Sequence, residues 1–546
     1  MFARVKKSGK YQYLQIVENH KEKGKVKQQV IATIGRMDQL QGKQRVETLI
    51  RSLSRFSEQA LLILSGKSEV SADAKKIGPP LIFERLWQQT GIKAALKALL
   101  AERKFEFDIE RAVFLTVLHR LMVSGSDRSC SRWHRDYIIE DAQGLSLHHL
   151  YRAMSFLGEE LENQKDATPF SPRCNKDLIE EHIFRHRRDL FTKLDLVFFD
   201  TTSIYFEGTG GDTIGQRGFS KDHRPDLKQM VVGAVIDDKG QPICCEMWPG
   251  NTTDVKTLLP IVEKLQKRFN IERICIVADR GMISAETVRE LENPDNTIAY
   301  ILGTRMRKVK EIRDVVLSHP GRYKEVRAES GDSKDPEPLK VKQLQHNGHR
   351  YIVCCNPRQA RKEARDREVI LSALKEQIKK GAKSLVGNKG YRKYLKIAKD
   401  SVSINEDKVR YESRFDGKWV LVTNTEMSAE KVALNYKELW QVEKVFRDVK
   451  SLLNTRPIFH QRDRTIRGHV FCSFLALVLR KELERHLNHA GHVFEWADIK
   501  QDLKALQQVT IEEGGKQMAI RSKCEGVCGK VFQAVGVAMP PTIREL

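Results

Sequence analysis

Between residues 194 and 302 five strand-length apolar runs alternate with two helical patterns, and that order constrains the fold more than any other feature of the chain. The first run, 194–205 (LDLVFFDTTSIY), is nearly continuous in apolar residues, as expected of a strand covered on both faces. Strands follow at 230–237 and 243–248. An amphipathic helix is expected over 257–269, a fourth strand over 273–278 (RICIVA), a helix over 284–292 and a fifth strand over 297–302. Ser284 is placed to cap the second helix, with Thr287 in place of Glu at the capping-box position. A basic stretch, 305–415, comes next. It carries a strand of its own at 351–355, a charged helix over about 360–380 and a hairpin closed at Asp416-Gly417. A strand at 418–423 then leads into a strong helical pattern over 428–453.

Three strands, helix, strand, helix, strand, insertion, helix is the element order of a ribonuclease H-like core, a mixed sheet flanked by helices. With 546 residues, three or four domains are expected. The fold class is therefore multidomain α/β: a ribonuclease H-like catalytic core with a β-containing insertion, plus helical flanking regions. The divisions expected are an N-terminal β/α region (1–78), a helical region (79–175), and a first part of the core (190–304). After these come the basic insertion (305–415), a second part of the core (416–455) and a helical C-terminal region (456–546). In the first of these, β-forming residues such as Tyr11, Tyr13, Ile16, Val17, Val26 and Val30 surround a turn at Ser8-Gly9 and a charged loop at 18–24. A helical stretch follows over about 40–65. Pro79-Pro80 marks a boundary, and 164–175 reads as a linker.

Asp200 ends the apolar part of the first run, and Asp279 directly follows the fourth strand. A carboxylate at the end of a buried strand is costly unless something pairs it. In the expected sheet the first and fourth strands are neighbours, so the two anions would meet at one end and repel, and a bound cation is the usual remedy. Oxygen-only ligands favour Mg²⁺, with Mn²⁺ as substitute. Tyr436, Leu439, Glu443 and Lys450 are spaced by three, four and seven, which on one continuous helix puts them on one face. Val442, Val445, Val449 and Leu453 form an adjoining stripe to dock on the sheet. Glu443 would then complete a site for two metal ions roughly 3.5–4 Å apart. Taken singly, each acid has a commoner role as a turn, cap or solvated residue. The three together, each where this fold needs it, point to Asp200, Asp279 and Glu443 as catalytic metal ligands.

The formal net charge is +23. Residues 1–50 carry 11 Lys/Arg against 4 Asp/Glu, and residues 305–415 carry 29 against 15. Charge concentrated in this way favours a polyanionic partner over general solubility. Lys221, His223, Arg224 and Lys228 form a basic loop after the first strand that suits phosphate contact. Trp419 and Trp440 are expected in the core, with base stacking as the alternative. Nothing at the start of the chain resembles a signal peptide, and the ten-residue apolar run 470–479 is half a membrane span. The expectation is a cytoplasmic protein, nucleoid-associated when bound to DNA, with no membrane partner. The ten scattered cysteines read as reduced and structural, and zinc at Cys524-x3-Cys528 is disfavoured.

The segments FFDTTSIYFEG (198–208), VADRGMIS (277–284) and YKELWQVEKVFRDVK (436–450), with GFSKDHRPDLKQ (218–229) after the first, resemble DDE-type insertion-sequence transposases. The branch is the one with a Tyr-x2-Arg-x3-Glu-x6-Lys signature. Tyr436, Glu443 and Lys450 match its spacing. Leu439 stands where the branch has Arg, and Arg447, one turn beyond Glu443, is a candidate substitute. The similarity covers about 80–480. It implies metal-dependent cleavage at the ends of an insertion element, then attack of the freed 3′ hydroxyl on target DNA. It further implies double-stranded DNA partners (terminal repeats and target) and a homodimer in the DNA complex. Lys450, Tyr436, Arg447, Lys228, Arg224 and His223 are the candidate DNA contacts. Two rivals remain open: a transposase-derived DNA-binding protein without activity, and a ribonuclease H-like structure-specific nuclease.

Overall fold

The computed structural model describes residues 2–22, 25–41, 71–165, 167, 171–187, 196–271, 274–293, 298–327, 338–380, 392–397, 402–452, 455–513 and 516–546. The chain divides into two compact units. One comprises Met1–Leu157, Leu452–Asn454 and Gly468–Leu546, the other Gly158–Ser451 and Thr455–Arg467.

The first unit opens with a three-stranded antiparallel sheet, Phe2–Ser8, Tyr11–Glu22 and Lys25–Arg36. The turn at Ser8-Gly9 is as expected, with Gly9 at φ +62. The loop expected at 18–24 is largely strand, because residues 18–22 pair with 25–29. The helix expected over about 40–65 falls mostly outside the described residues. Helices at Gly78–Gln89, Ile92–Leu100, Ile109–Met122, Asp127–Trp133 and Leu147–Leu157 fill the expected helical region. The C-terminal part is less helical than its pattern suggested. Gln507–Glu513, Lys516–Arg521 and Ile543–Glu545 form a four-stranded sheet with Ser71–Lys76. That pairing joins segments more than 400 residues apart, which local periodicity does not register.

The second unit is built on one nine-stranded mixed sheet. Its first five strands are β1 (Leu196–Tyr205), β2 (Gln229–Asp237), β3 (Pro242–Pro249), β4 (Cys275–Ala278) and β5 (Ala299–Gly303). They are followed by β6 (Lys324–Val326), β7 (Leu339–His346), β8 (His349–Cys355) and β9 (Lys418–Thr423). The order across the sheet is β6-β7-β8-β9-β5-β4-β1-β2-β3. β1 runs antiparallel to β2 and parallel to β4, and β4 is parallel to β5. The central strands are apolar on both faces, as parallel strands covered by helices must be. One apolar cluster runs along the sheet, from Trp248 on β3 through Phe199, Ile276 and Tyr300 to Val353 and Val420.

The 305–415 stretch, expected as an insertion, supplies β6, β7 and β8 to this same sheet. The hairpin expected at Asp416-Gly417 is absent. A helix, Glu406–Ser413 with Asn405 as its N-cap, precedes the turn, and β9 pairs instead with β8 and β5. Asp416-Gly417 is a turn, entered by a helix in place of the expected strand.

Helices α1 (Asn175–Arg187), α2 (Leu258–Phe269) and α3 (Ala285–Leu291) cover the sheet. Ser284 caps α3 as expected, accepting the Thr287 N–H at 3.0 Å. α1 meets β3 and α2 through a fully buried ionic cluster. Lys176 lies 2.7 Å from Asp177, and Lys264 lies 2.8 Å from Glu246, 3.1 Å from Asp177 and 3.3 Å from Glu180. Arg268 lies 3.0 Å from Asp177. Burial opposes ionisation here, yet Lys264 and Lys176 hold Glu246 down to about 2. Arg268 also pairs with Glu181 at 2.7 Å, and Glu181 with Arg173 at 3.0 Å, so four cations balance four carboxylates.

The helical pattern 428–453 is two helices, α4 (Ala429–Lys437) and α5 (Trp440–Arg447), followed by a turn of π-helix, Asp448–Leu452. At the joint the Leu439, Gln441 and Val442 amides bond three residues back, to Tyr436, Glu438 and Leu439 carbonyls. Tighter i→i+3 winding re-phases the faces on either side. The single face expected for Tyr436, Leu439, Glu443 and Lys450 is therefore broken. Leu439 is buried at the joint, while Glu443 is exposed. The stripe of Val442, Val445 and Val449 is buried as expected, and α5 packs on β1 and β2. Among the described residues, no helix is long and apolar enough to cross a membrane.

Candidate active site

β1 and β4 are adjacent and parallel, with Phe199 paired to Ala278. Asp200 and Asp279 follow at the same level on strands about 4.8 Å apart. The expectation that the two acids meet at one end of the sheet is met in the backbone register. Asp200 accepts the Thr201 N–H at 2.7 Å, and Asp279 accepts the Tyr436 hydroxyl at 2.9 Å. Burial pushes the Asp200 carboxyl up to about 6; Asp279 and Asp254 add to the push, while Lys221 and the Thr201 N–H oppose it.

Tyr436 reaches in from α4. Gly303 on β5 makes room for it, since a Cβ there would lie 2.3 Å from the tyrosine oxygen and 3.0 Å from the Arg280 amide nitrogen. Burial, then Asp279, raises the tyrosine's pKa and keeps it a hydrogen-bond donor. Tyr436 thus orients a carboxylate rather than facing outward to a phosphate. The loop after β4 is held by Arg305, which donates to the carbonyls of Arg280 (3.0 Å) and Gly281 (2.8 Å).

A further acid belongs to this site. Asp254, between β3 and α2, accepts the Thr201 hydroxyl at 2.7 Å and pairs with Lys221 at 3.2 Å. A Cβ on Gly281 would come within 3.3 Å of its carboxylate. The sequence reading passed over Asp254 because an acid shortly before a helix looks like a dipole-favoured first-turn residue. Its one signal was proximity to a strand end, after Pro249-Gly250.

Glu443 is exposed on α5, and no hydrogen bond or ion pair joins it to either aspartate among the described residues. Lys450 pairs with Asp222 at 2.7 Å, and Lys221 turns inward to the Thr201 carbonyl at 2.8 Å. Arg224 pairs with Asp226 at 2.9 Å, and His223 is exposed with φ +57. Lys228 and Arg447 are exposed. Trp440, expected in the core, is 52% exposed, because the break before it turns α5 so that Val442 and Val445 take the sheet side. All ten cysteines are free thiols.

The donor set fits a hard divalent cation. Asp200 and Asp279 each accept one hydrogen bond from the protein among the described residues, which leaves each a carboxylate oxygen. Every candidate ligand atom is oxygen. Asp279 and Asp254 both bear on Asp200, while Lys221 is the ammonium that opposes them there and pairs with Asp254, so the site carries more acid than base.

A family model described as the transposase DDE domain matches residues 192–479, and one described as the N-terminal domain of IS1634 family transposases matches residues 3–68. No curated protein matches the chain. Among solved structures, a cryo-EM structure of the piggyBac transposase synaptic complex with hairpin DNA matches at TM-score 0.40 and 10% identity. The match covers 78% of this chain and 79% of that one, a likeness too distant to bear on the site. DDE transposases work on DNA with divalent metal ions. Since the DDE match spans more than half of the 546 residues, this protein belongs to the DDE-type insertion-sequence transposases, enzymes of DNA phosphoryl transfer.

Proposed function

We propose that Asp200, Asp279 and Glu443 hold two Mg²⁺ ions, with Mn²⁺ as substitute, and that this site cuts an insertion element's ends and joins them to target DNA. The observation that carries the reading is the acid excess at one level of two adjacent parallel strands, β1 and β4. The strand order β3-β2-β1-β4-β5 supports a ribonuclease H-like core. When bound, the metal ions neutralise charge on the attacking and leaving oxygens of the phosphate.

The protein's own groups prepare for this. The Thr201 amide fixes Asp200, and Tyr436 fixes Asp279, so neither carboxylate has to be ordered at the moment of reaction. Glu443 is exposed on a helix packed against β1, the strand that bears Asp200, and β2. Lys450, Arg447, Lys228, Arg224 and His223 are the proposed phosphate contacts. Residues 1–78 take the terminal repeats, the basic 305–415 stretch lies along the DNA, and a homodimer pairs the two ends. The protein works in the cytoplasm, on the nucleoid when bound.

The test is cleavage, with Mg²⁺, of a linear duplex carrying the inverted repeats that flank the gene. Asp200→Ala, Asp279→Ala and Glu443→Ala should each fall to background while still binding the duplex. Three variants that cut as well as the parent would refute the assignment. A parent that binds and never cuts would favour an inactive derivative.

A further inference from the structure

The loop between β1 and β2 contains a dipeptide whose two charges face different parts of the second unit. Lys221 turns toward the acids: its ammonium donates to the Thr201 carbonyl (2.8 Å) and hydroxyl (2.9 Å) and lies 3.2 Å from Asp254. Asp222 turns toward the segment after α5. One of its carboxylate oxygens takes both Lys450, at 2.7 Å, and Arg456. The other oxygen is buried and accepts no hydrogen bond from the described residues.

Two roles fit a carboxylate between two cations. It could stand in for a phosphate and leave when DNA binds, or it could stay and hold the cations in place. Burial decides between them. The Asp222 side chain is 5% exposed, against 12% for Lys450 and 31% for Arg456. Exchange for a phosphate would require opening the loop and unpairing a buried charge, a large cost. Two cations on one carboxylate leave a net positive charge, most accessible at Arg456. A preset guanidinium–ammonium pair suits one backbone phosphate.

We propose that Asp222 is a positioning residue. It fixes Lys450 and Arg456 as a cationic pair for one DNA phosphate, and through Lys221 it ties that pair to the strand bearing Asp200. The inference rests on the reading that this site cuts DNA.

The full-length protein is tested on the inverted-repeat duplex with Mg²⁺. Asp222→Asn should bind within about threefold of the parent yet cleave at least tenfold more slowly at saturating protein. Asp222→Glu should recover part of the rate, and adding Asp222→Asn to Lys450→Ala with Arg456→Gln, where both of its partners are gone, should slow cleavage no further. A purely electrostatic or structural role predicts the opposite: removing an anion tightens binding, cleavage keeps the parent rate, or the two losses multiply. Any of these overturns the proposal. Should Asp222→Asn misfold, Arg456→Gln leaves Asp222 paired to Lys450 and should still slow cleavage at saturating protein; a parent-like rate again overturns it. If the parent itself never cuts, the proposed function has failed, and salt titration of duplex binding still reads the pair. Arg456→Gln should then lower the slope of log affinity against log salt by about 0.9, and an unchanged slope overturns the proposal.

Discussion

Two clusters of charge sit in the same unit, one buried and one partly exposed, and they are built differently. At the α1–α2–β3 junction four cations meet four carboxylates, and the protein closes its own account of charge. At the ends of β1 and β4 three carboxylates bear on one another, and one lysine opposes two of them. The first arrangement holds elements together. The second leaves a deficit that only something from outside can fill. Charge balance therefore separates a structural cluster from a candidate catalytic one where the presence of buried acids alone would not.

Four perturbations test the contrast, after the loss of activity expected for the acid trio. The largest effect on stability belongs to the balanced cluster. Lys264→Met leaves the cluster one cation short and should cost about 3–5 kcal/mol in denaturant unfolding. A smaller loss would mean the cluster is not the tie it looks like. The acid site should respond to metal instead. With Mg²⁺ at a hundred times its dissociation constant the parent should gain about 2.7 kcal/mol. Asp279→Asn should gain none, and equal gains would place the metal elsewhere.

The third effect depends on pH. The Asp200 carboxyl, ordinarily at 3.8, is pushed up to about 6 in the fold by burial. The folded protein holds the extra proton between those values, so this contribution to stability is present below about pH 4 and lost as pH rises through about 6. Without metal, Asp200→Asn should therefore exceed the parent by about 1–3 kcal/mol at pH 7.5, with the gap closing at pH 4. A gap that persists at pH 4 would trace the effect to packing. The smallest is Tyr436→Phe, which removes one hydrogen bond to Asp279 and should cost about 1 kcal/mol with a partial loss of cleavage. No change in either would detach the tyrosine from the site.

What the sequence made legible follows from range. Strand runs ending in Asp200 and Asp279 could be read because burial and an unpaired acid are both local signals, and Ser284 capped its helix for the same reason. The partners of β9 could not be read, since pairing with β8 and β5 depends on contacts across the sheet. The α4–α5 break escaped notice because nothing at Glu438-Leu439 is a helix breaker; only backbone bonding reveals the change of winding. Asp254 was missed because its loop reads as ordinary helix entry. Leu439, in the place the branch gives to Arg, lies buried at that joint, where a guanidinium would have to be accommodated away from solvent.

Gly303 carries a consequence for descent. Its α-hydrogen faces the Tyr436 oxygen at a spacing that no side chain can share. A lineage that keeps the tyrosine is bound to keep glycine at 303, whereas one that has given up the tyrosine meets only the milder crowding of the Arg280 amide nitrogen there. The two positions should drift as a pair, and an alanine or larger residue at 303 would mark, without any assay, a relative in which the hydroxyl no longer touches the second aspartate.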